Sequence, residues 1–170
     1  MPNIEIERKF LVLNEDYKQV ATSHYTILQG YICKEPGRTV RVRIKTLSDG
    51  AQTAYLTIKS KPNANGFSRF EWEKEIDPAD AKQLIEMCLP GVIHKTRWLI
   101  PASTPYTLHA TPYTATETPQ LTWEVDEFHD RLAGLVIAEL ELEQEDQPYE
   151  KPNFIGEEVT GNPRYYNANM

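Results

Sequence analysis

The chain has 170 residues, 40% hydrophobic and 25% charged, enough for one globular domain (1–170) with a sizeable core. Its formal net charge of −7 argues against nonspecific binding to nucleic acid or anionic membrane, and no apolar run approaches the roughly 18 residues of a membrane helix. Acidic residues stand where a secretion signal would be basic and then apolar, so the expected compartment is cytoplasmic, with Cys33 and Cys88 as reduced thiols.

Segments that alternate with period two predict strands over 3–13, 25–34, 38–46, 53–60, 68–76, 92–100, 105–110, 120–127 and 136–143. Turn residues separate the early ones: EPG at 35–37, SDG at 48–50 and PNANG at 62–66. A short helix fits 14–22. A longer one is predicted in IDPADAKQLIEMCLPG, with Asp77 as N-cap and Pro78 at the first helical position. Ala81, Leu84, Ile85 and Cys88 form its apolar stripe, and Pro90-Gly91 ends it. The Thr- and Pro-rich stretch 102–120 is expected to be a surface loop through its middle. The class is α+β, with antiparallel strands dominating.

Side chains at i, i+2 and i+4 of a strand share a face. The opening IEIERKFLV therefore sets Glu5, Glu7 and Lys9 on one side. VRVRIK does the same with Arg41, Arg43 and Lys45, LTIKSK with Lys59 and Lys61, and FEWEKEI with Glu71, Glu73 and Glu75. KTRW adds Lys95 and Arg97, WEVDEF adds Glu124 and Asp126, and AELELE adds Glu139, Glu141 and Glu143. One dry and one wet face explain any single strand of this kind. They do not explain the segregation by sign. Like charges two residues apart lie about 7 Å from each other, and ordinary surfaces mix signs to avoid that repulsion.

A sheet closed with these faces inward lines a channel with cationic walls and carboxylate walls. Arg and Lys suit a polyphosphate chain, and clustered carboxylates are hard oxygen donors for Mg²⁺ or Mn²⁺. Two such ions reconcile an anionic ligand with the negative net charge. Other chemistries find little support. His24, His94, His109 and His129 have no ligand spacing, and no P-loop or nucleophile elbow is present. Trp72, Trp98 and Trp123 alternate with charged residues, which places them outside such a channel.

Glu5-Ile6-Glu7-Arg8-Lys9 matches the ExExK signature of the CYTH superfamily, the triphosphate tunnel metalloenzymes. LQGYI, VRVRIK, LTIKS, FEWEKEI, KTRW, VDEF, AELELE and GEEVTGNPRYYN resemble that family's blocks in its order, over essentially the whole chain. The likeness is to short bacterial single-domain members, several of which hydrolyse inorganic triphosphate. It implies a closed antiparallel β-barrel, the triphosphate tunnel fold, with a few flanking helices. By position it implies metal ligation by Glu5, Glu7, Asp126, Glu139 and Glu141, and phosphate binding by Lys9, Arg41, Arg43, Lys59, Lys95 and Arg97. On the same resemblance Glu7, Asp126, Glu141 and Lys95 take the catalytic roles, with a second metal, or a carboxylate such as Glu7, Glu141 or Asp126, orienting the attacking water.

Glu73 matches a tunnel acid, whereas Lys45, Lys61, Glu71, Glu75, Glu124 and Glu143 are left out of the site as strand-end residues. The last block implies a short helix near the tunnel mouth that brings Glu158, Arg164 and Tyr165 within reach of substrate. The expected reaction is metal-dependent hydrolysis of triphosphate to pyrophosphate and phosphate. Thiamine triphosphatase and class IV-type adenylate cyclase use the same parts and stay open, as does a noncatalytic polyphosphate- or nucleotide-binding module. Charge inside leaves the apolar strand faces outside, where one helix cannot cover them. A homodimer, or cover by the two terminal segments, is therefore expected.

Overall fold

The computed structural model describes residues 4–66, 68–103 and 120–170. In chain order they form β1 (Ile4–Val12), α1 (Tyr17–Val20), β2 (Ser23–Cys33), β3 (Arg38–Thr46), β4 (Gln52–Ser60), β5 (Ser68–Ile76), α2 (Pro78–Glu86), β6 (Ile93–Pro101), β7 (Thr122–Phe128), β8 (Val136–Leu142) and β9 (Ile155–Glu158). Each predicted strand appears where the alternation placed it, save that at 105–110, which lies outside the described residues with the middle of the 102–120 loop. β9 has no counterpart in the sequence reading, because four residues are too few to show a period. The helix expected over 14–22 is the single turn α1.

α2 starts as its sequence dictates. The Asp77 carboxylate accepts from Ala79 N at 2.7 Å, and Pro78 occupies the first turn, where a missing N–H is harmless. It ends at Glu86, before Pro90-Gly91. Met87 N and Cys88 N bond back to Leu84 O and Ile85 O in tighter i→i−3 turns, which takes Cys88 off the helical stripe. Cys88 packs instead on β2 at Gly30, where a Cβ would lie 2.7 Å from its Sγ. Only a glycine permits that approach.

The strands run in the order β5-β4-β3-β2-β6-β7-β8-β1, every pair antiparallel, and β5 pairs with β1 to close the barrel. One edge of β1 is shared. Its first residues pair with β5, Ile4 opposite Phe70 and Glu5 opposite Arg69. Its last residues pair with β9, Phe10 opposite Glu158. The closure leaves no long free edge at β1.

The barrel is inverted relative to most sheets, with charge inside and the main apolar cores outside. On the β1–β8–β7 side, Phe10, Trp123 and Leu140 pack beneath Tyr17, Phe154 and Ile155, so both terminal segments cover this face. On the β3–β4 side, Val42, Ile44 and Ala54 lie beneath Ala81, Leu84 and Ile85 of α2. A third cluster, Ile93, Phe128 and Ile137 with Tyr165 and Leu135, shares strand faces with Lys95, Asp126 and Glu139 and fills one end of the interior. Ile4, Ile58, Phe70 and Trp72 remain exposed on the outer face of β1, β4 and β5. Trp98 and Trp123 pack in the outer core, as expected from their alternation with charge. Among the described residues no helix is long and apolar enough to cross a membrane.

Trp123 is 0% exposed and meets Phe10 and Tyr149 edge-on, with ring centroids 5.4 and 5.9 Å away. Trp123→Ala should destabilise the protein by about 3–5 kcal/mol in urea unfolding. Trp72→Ala, on the uncovered face, should change it far less. Equal losses would show that the outer cluster around Trp123 is not the main core.

Candidate active site

The inward faces surround a cavity of about 490 Å³. Strand register decides which charges meet there. β8 lies beside β1, with Glu141 opposite Glu7 and Glu139 opposite Lys9. β7 continues the wall, with Glu124 opposite Glu139, and β6 follows, with Arg97 opposite Asp126. Across the barrel, β3 and β4 set Arg41 opposite Thr57, which is itself opposite Glu73.

Most of the charges are paired. Lys9 Nζ donates to Glu139 Oε1 at 2.8 Å, and Arg97 Nη2 donates to Glu139 Oε2 at 3.0 Å. Arg97 also grips Asp126 through Nε and Nη2, both at 2.7 Å, in the two-pronged geometry that a guanidinium favours. Lys95 Nζ donates to the same carboxylate, and Arg97 Nη1 donates to Glu124. A second group centres on Glu5, which accepts from Lys59 Nζ at 2.6 Å and Arg69 Nε at 2.9 Å. Arg41 Nη2 donates to Thr57 Oγ1 at 3.1 Å, and that hydroxyl donates to Glu73 Oε2 at 2.7 Å.

Arg43 and Glu141 stand on opposite walls without an oppositely charged partner among the described residues. Arg43, on β3, donates to the neutral Gln29 Oε1 at 3.1 Å and pairs with no carboxylate among the described residues. Glu141, on β8, has no hydrogen bond or ion pair among the described residues. In the strand order β8 is the fourth neighbour of β3 in either direction round the eight-stranded barrel. Nearby, the buried Arg41 Nε and Gln29 Nε2 have no hydrogen-bond partner.

The electrostatics follow from these neighbours. Burial would raise the Glu5 carboxyl, but Lys59 and Arg69 outweigh it and hold the group well below its usual range. Burial of Glu139 and Asp126 is likewise overcome, by Lys9 and Arg97 at Glu139 and by Arg97 and Lys95 at Asp126. Glu7 goes the other way. Burial and the adjacent Glu139 carboxylate raise it. Glu141 opens onto the cavity, yet partial desolvation and the surrounding Glu5, Glu124, Glu71 and Glu7 raise it to about 7. Burial, together with Arg41 and Arg97, lowers Arg43 to about 10. Burial also lowers Lys95, to about 8, against the opposing pull of Asp126.

Among the described residues no three carboxylate or imidazole groups already converge as a metal nest. Glu5, Asp126 and Glu139 are turned onto lysine and arginine instead. The chemistry of the remaining donors nonetheless fits a divalent ion. Glu7, 3.4 Å from Lys9 Nζ, and Glu141 are cross-strand neighbours, both raised by burial and then by like charge, and their oxygens are hard ligands of the kind Mg²⁺ or Mn²⁺ takes.

Of the residues predicted from sequence, Glu5, Glu7, Lys9, Glu139 and Glu141 line the cavity, as do Arg41, Arg43, Lys59 and Arg97. Asp126 and Lys95 are fully buried behind the wall, both backing Arg97. Glu71, Glu124 and Lys61, set aside as strand-end residues, line the cavity as well. Arg69 and Tyr31 line it too; Arg69 shares its strand parity with Glu71, whereas β2 carries no charged face to mark Tyr31. Lys45 stacks on Tyr25, 3.9 Å from the ring centroid.

The last block is corrected in detail. Glu158 pairs with Arg8, Arg164 lies by the Tyr165 ring, and that ring belongs to the apolar end cluster. Tyr166 and Asn167 line the cavity instead, from two 3₁₀ turns at Pro163–Tyr165 and Asn167–Asn169. Periodicity holds no signal for turns this short.

The structure is a closed antiparallel barrel with a charged interior, in which Arg43 on one wall and Glu141 on the other keep no oppositely charged partner among the described residues. The CYTH domain model matches residues 3–168, and the chain belongs to that family. It is 38% identical over 167 residues to an inorganic triphosphatase of Acetivibrio thermocellus, covering 98% of this chain and 92% of that protein. It is 30% identical over 165 residues to an inorganic triphosphatase of Nitrosomonas europaea, covering 96% and 93%. Among solved structures, that of the inorganic triphosphatase NE1496 aligns with a TM-score of 0.57 at 27% identity, covering 97% of this chain and 92% of that one.

The raised Glu141 carboxyl predicts a pH dependence of stability in the metal-free protein. A carboxyl whose folded value lies near 7 rather than 4.5 binds more protons folded than unfolded between those values. Its contribution is therefore present at low pH and lost as pH rises through that window. Glu141→Gln should raise the melting temperature at pH 8 more than at pH 5, and Mg²⁺ should stabilise the parent more than the variant. The same shift at both pH values would remove Glu141 from the carboxylate cluster.

Proposed function

We propose that this protein is an inorganic triphosphatase that hydrolyses triphosphate to pyrophosphate and phosphate with the help of a divalent metal. The observation that carries this is the pair of opposed charges without an oppositely charged partner among the described residues, Arg43 on β3 and Glu141 on β8. An anion alone would satisfy the first and repel the second. A triphosphate carrying divalent cations satisfies both. The inorganic triphosphatase names of the two curated relatives, each matched along most of its length, support the same substrate.

In this reading Arg41 and Arg43 present guanidinium forks to non-bridging phosphate oxygens, while Lys59, Lys9 and Arg97 fix the ends of the chain. Two Mg²⁺ or Mn²⁺ ions, held by Glu7 and Glu141 with Glu5 and Glu139 of the same cavity as further donors, would supply charge neutralisation on the phosphates, while Asp126, behind the wall, holds Arg97. Arg97, held rigid by Asp126 and Glu139, faces charge that builds on the leaving phosphate oxygens. Lys95 supports it from behind through their shared Asp126 carboxylate. Glu141, exposed to the cavity and without a cationic partner among the described residues, suits orienting the attacking water. Free thiols at Cys33 and Cys88 accord with a cytoplasmic protein, and the exposed side chains of Ile4, Ile58, Phe70 and Trp72 accord with a homodimer.

Incubation with triphosphate, thiamine triphosphate and ATP, each with Mg²⁺, Mn²⁺ or chelator, separates the readings by product. Metal-dependent phosphate release from triphosphate is expected to be fastest. Cyclic AMP from ATP would select the cyclase, preferred turnover of thiamine triphosphate the thiamine enzyme, and chelator-insensitive binding without turnover the noncatalytic module. Arg43→Ala should raise KM for triphosphate about tenfold to a hundredfold, the loss of a charged hydrogen bond. An unchanged KM would place the phosphates elsewhere. Sedimentation at micromolar concentration is expected to show a dimer, and a monomer there would end that part of the reading.

A further inference from the structure

The segment that follows β9 meets the tunnel at fixed points. Val159 N donates to Lys9 O at 2.8 Å, and Lys9 N donates to Thr160 Oγ1 at 2.9 Å. One residue on, Gly161 lies against Gly66 of the β4–β5 loop so closely that a Cβ on Gly66 would stand 2.4 Å from Gly161 Cα. Both glycines have φ near +80° (+82° and +77°), a conformation that side chains rarely adopt. From this anchor the chain turns back over the interior. Lys9 Nζ donates to Tyr165 O at 3.3 Å, and Lys95 Nζ donates to Asn167 Oδ1 at 3.3 Å. The segment thus joins the two ends of the chain Lys9–Glu139–Arg97–Asp126–Lys95 into a ring.

Within that ring Asn167 has a position of its own. Lys95 is 0% exposed and does not line the cavity, whereas Asn167 does. An ammonium has only donors, so the oxygen of the Asn167 amide must face it. The amide nitrogen then points away from Lys95, and it makes no hydrogen bond among the described residues. An amide that accepts from a cation is polarised and donates more strongly through its own N–H.

We propose that Asn167 is a further substrate-binding residue: its oxygen accepts from the buried Lys95, and its NH₂ donates to a phosphate oxygen in the cavity. Lys95 acts on the substrate through this amide, which passes on positive polarisation without placing an ammonium in the cavity. The assignment rests on the triphosphatase reading. Glutamine, serine or aspartate would each alter one part of it: reach, donor strength or sign.

Asparagine to aspartate separates this role from a structural one. Asn167→Asp keeps an acceptor for Lys95 but replaces the donor with a charged oxygen. If Asn167 only orients Lys95, Asp should serve as well as Asn and better than Ala. If its NH₂ meets phosphate, Asp should be the worst of the three. The expected result is a KM for triphosphate raised about tenfold in Asn167→Ala and by a larger factor in Asn167→Asp. Calorimetric binding of triphosphate should rank the proteins in the same order. Asn167→Ser, smaller and still a donor, should fall between the parent and Asn167→Ala, and it ranks the role if either of the other variants fails to fold. Unchanged KM and affinity in Asn167→Ala, or Asn167→Asp binding as well as the parent, would overturn the proposal. Absence of triphosphate turnover by the parent protein would count against the triphosphatase reading instead, and the calorimetric ranking would still decide the role of Asn167.

Discussion

A barrel can close around a charged interior only if almost every buried ion finds its opposite. Removing a carboxylate or ammonium from water is unfavourable by several kcal/mol, and a close partner with further hydrogen bonds is what offsets it. Here the condition is met by the chain of contacts from Lys9 through Glu139, Arg97 and Asp126 to Lys95. Four of these five side chains come from the three adjacent strands β6, β7 and β8, and Lys9 comes from the neighbouring β1. Antiparallel register sets them within reach of one another. The outer cores, the single-turn α1, α2 and the terminal segments follow from the same inversion, because apolar faces turned outward need cover.

The same pairing explains which parts of the tunnel are free to act. Carboxylates next to two cations are held charged and occupied, as Glu139 and Asp126 are. Such groups are scaffold as the structure stands. The working capacity lies where pairing stops, at Arg43 on one wall and Glu141 on the other. Each is shifted in the direction that burial and like neighbours impose, the arginine down and the glutamate up. Groups so shifted are often found at functional sites, because a ligand of the right charge relieves what the protein leaves unsatisfied.

Much of this was legible in the sequence because a strand has an unambiguous period. Glu5, Glu7 and Lys9, or Arg41 and Arg43, had to share a face whatever the fold, and the segregation of sign from strand to strand pointed to an enclosed interior. Arg69 obeyed the same parity and could have been included. What parity cannot say is how far along the tunnel each charge sits. Lys95 and Arg97 share a face in sequence, yet one is sealed behind the wall and the other reaches the cavity. The short β9 and the 3₁₀ turns that deliver Tyr166 and Asn167 have too few residues for any period, so their place depended on contacts with Lys9, Lys95 and Gly66.

By itself the sequence determined the strands β1 to β8, the helix start at Asp77 and Pro78, the inward and outward faces, and the family to which the chain belongs. These are local properties, set by side-chain alternation and by capping groups within a few residues of each other. Only the tertiary structure decided the closing pair β1–β5, the rows in which opposite charges meet, and that Arg43 and Glu141 keep no oppositely charged partner among the described residues. Those depend on the relative shift of strands around a closed barrel, which joins Glu5 to Lys59, 54 residues on, and Lys9 to Glu139, 130 residues on. No window of sequence contains that shift.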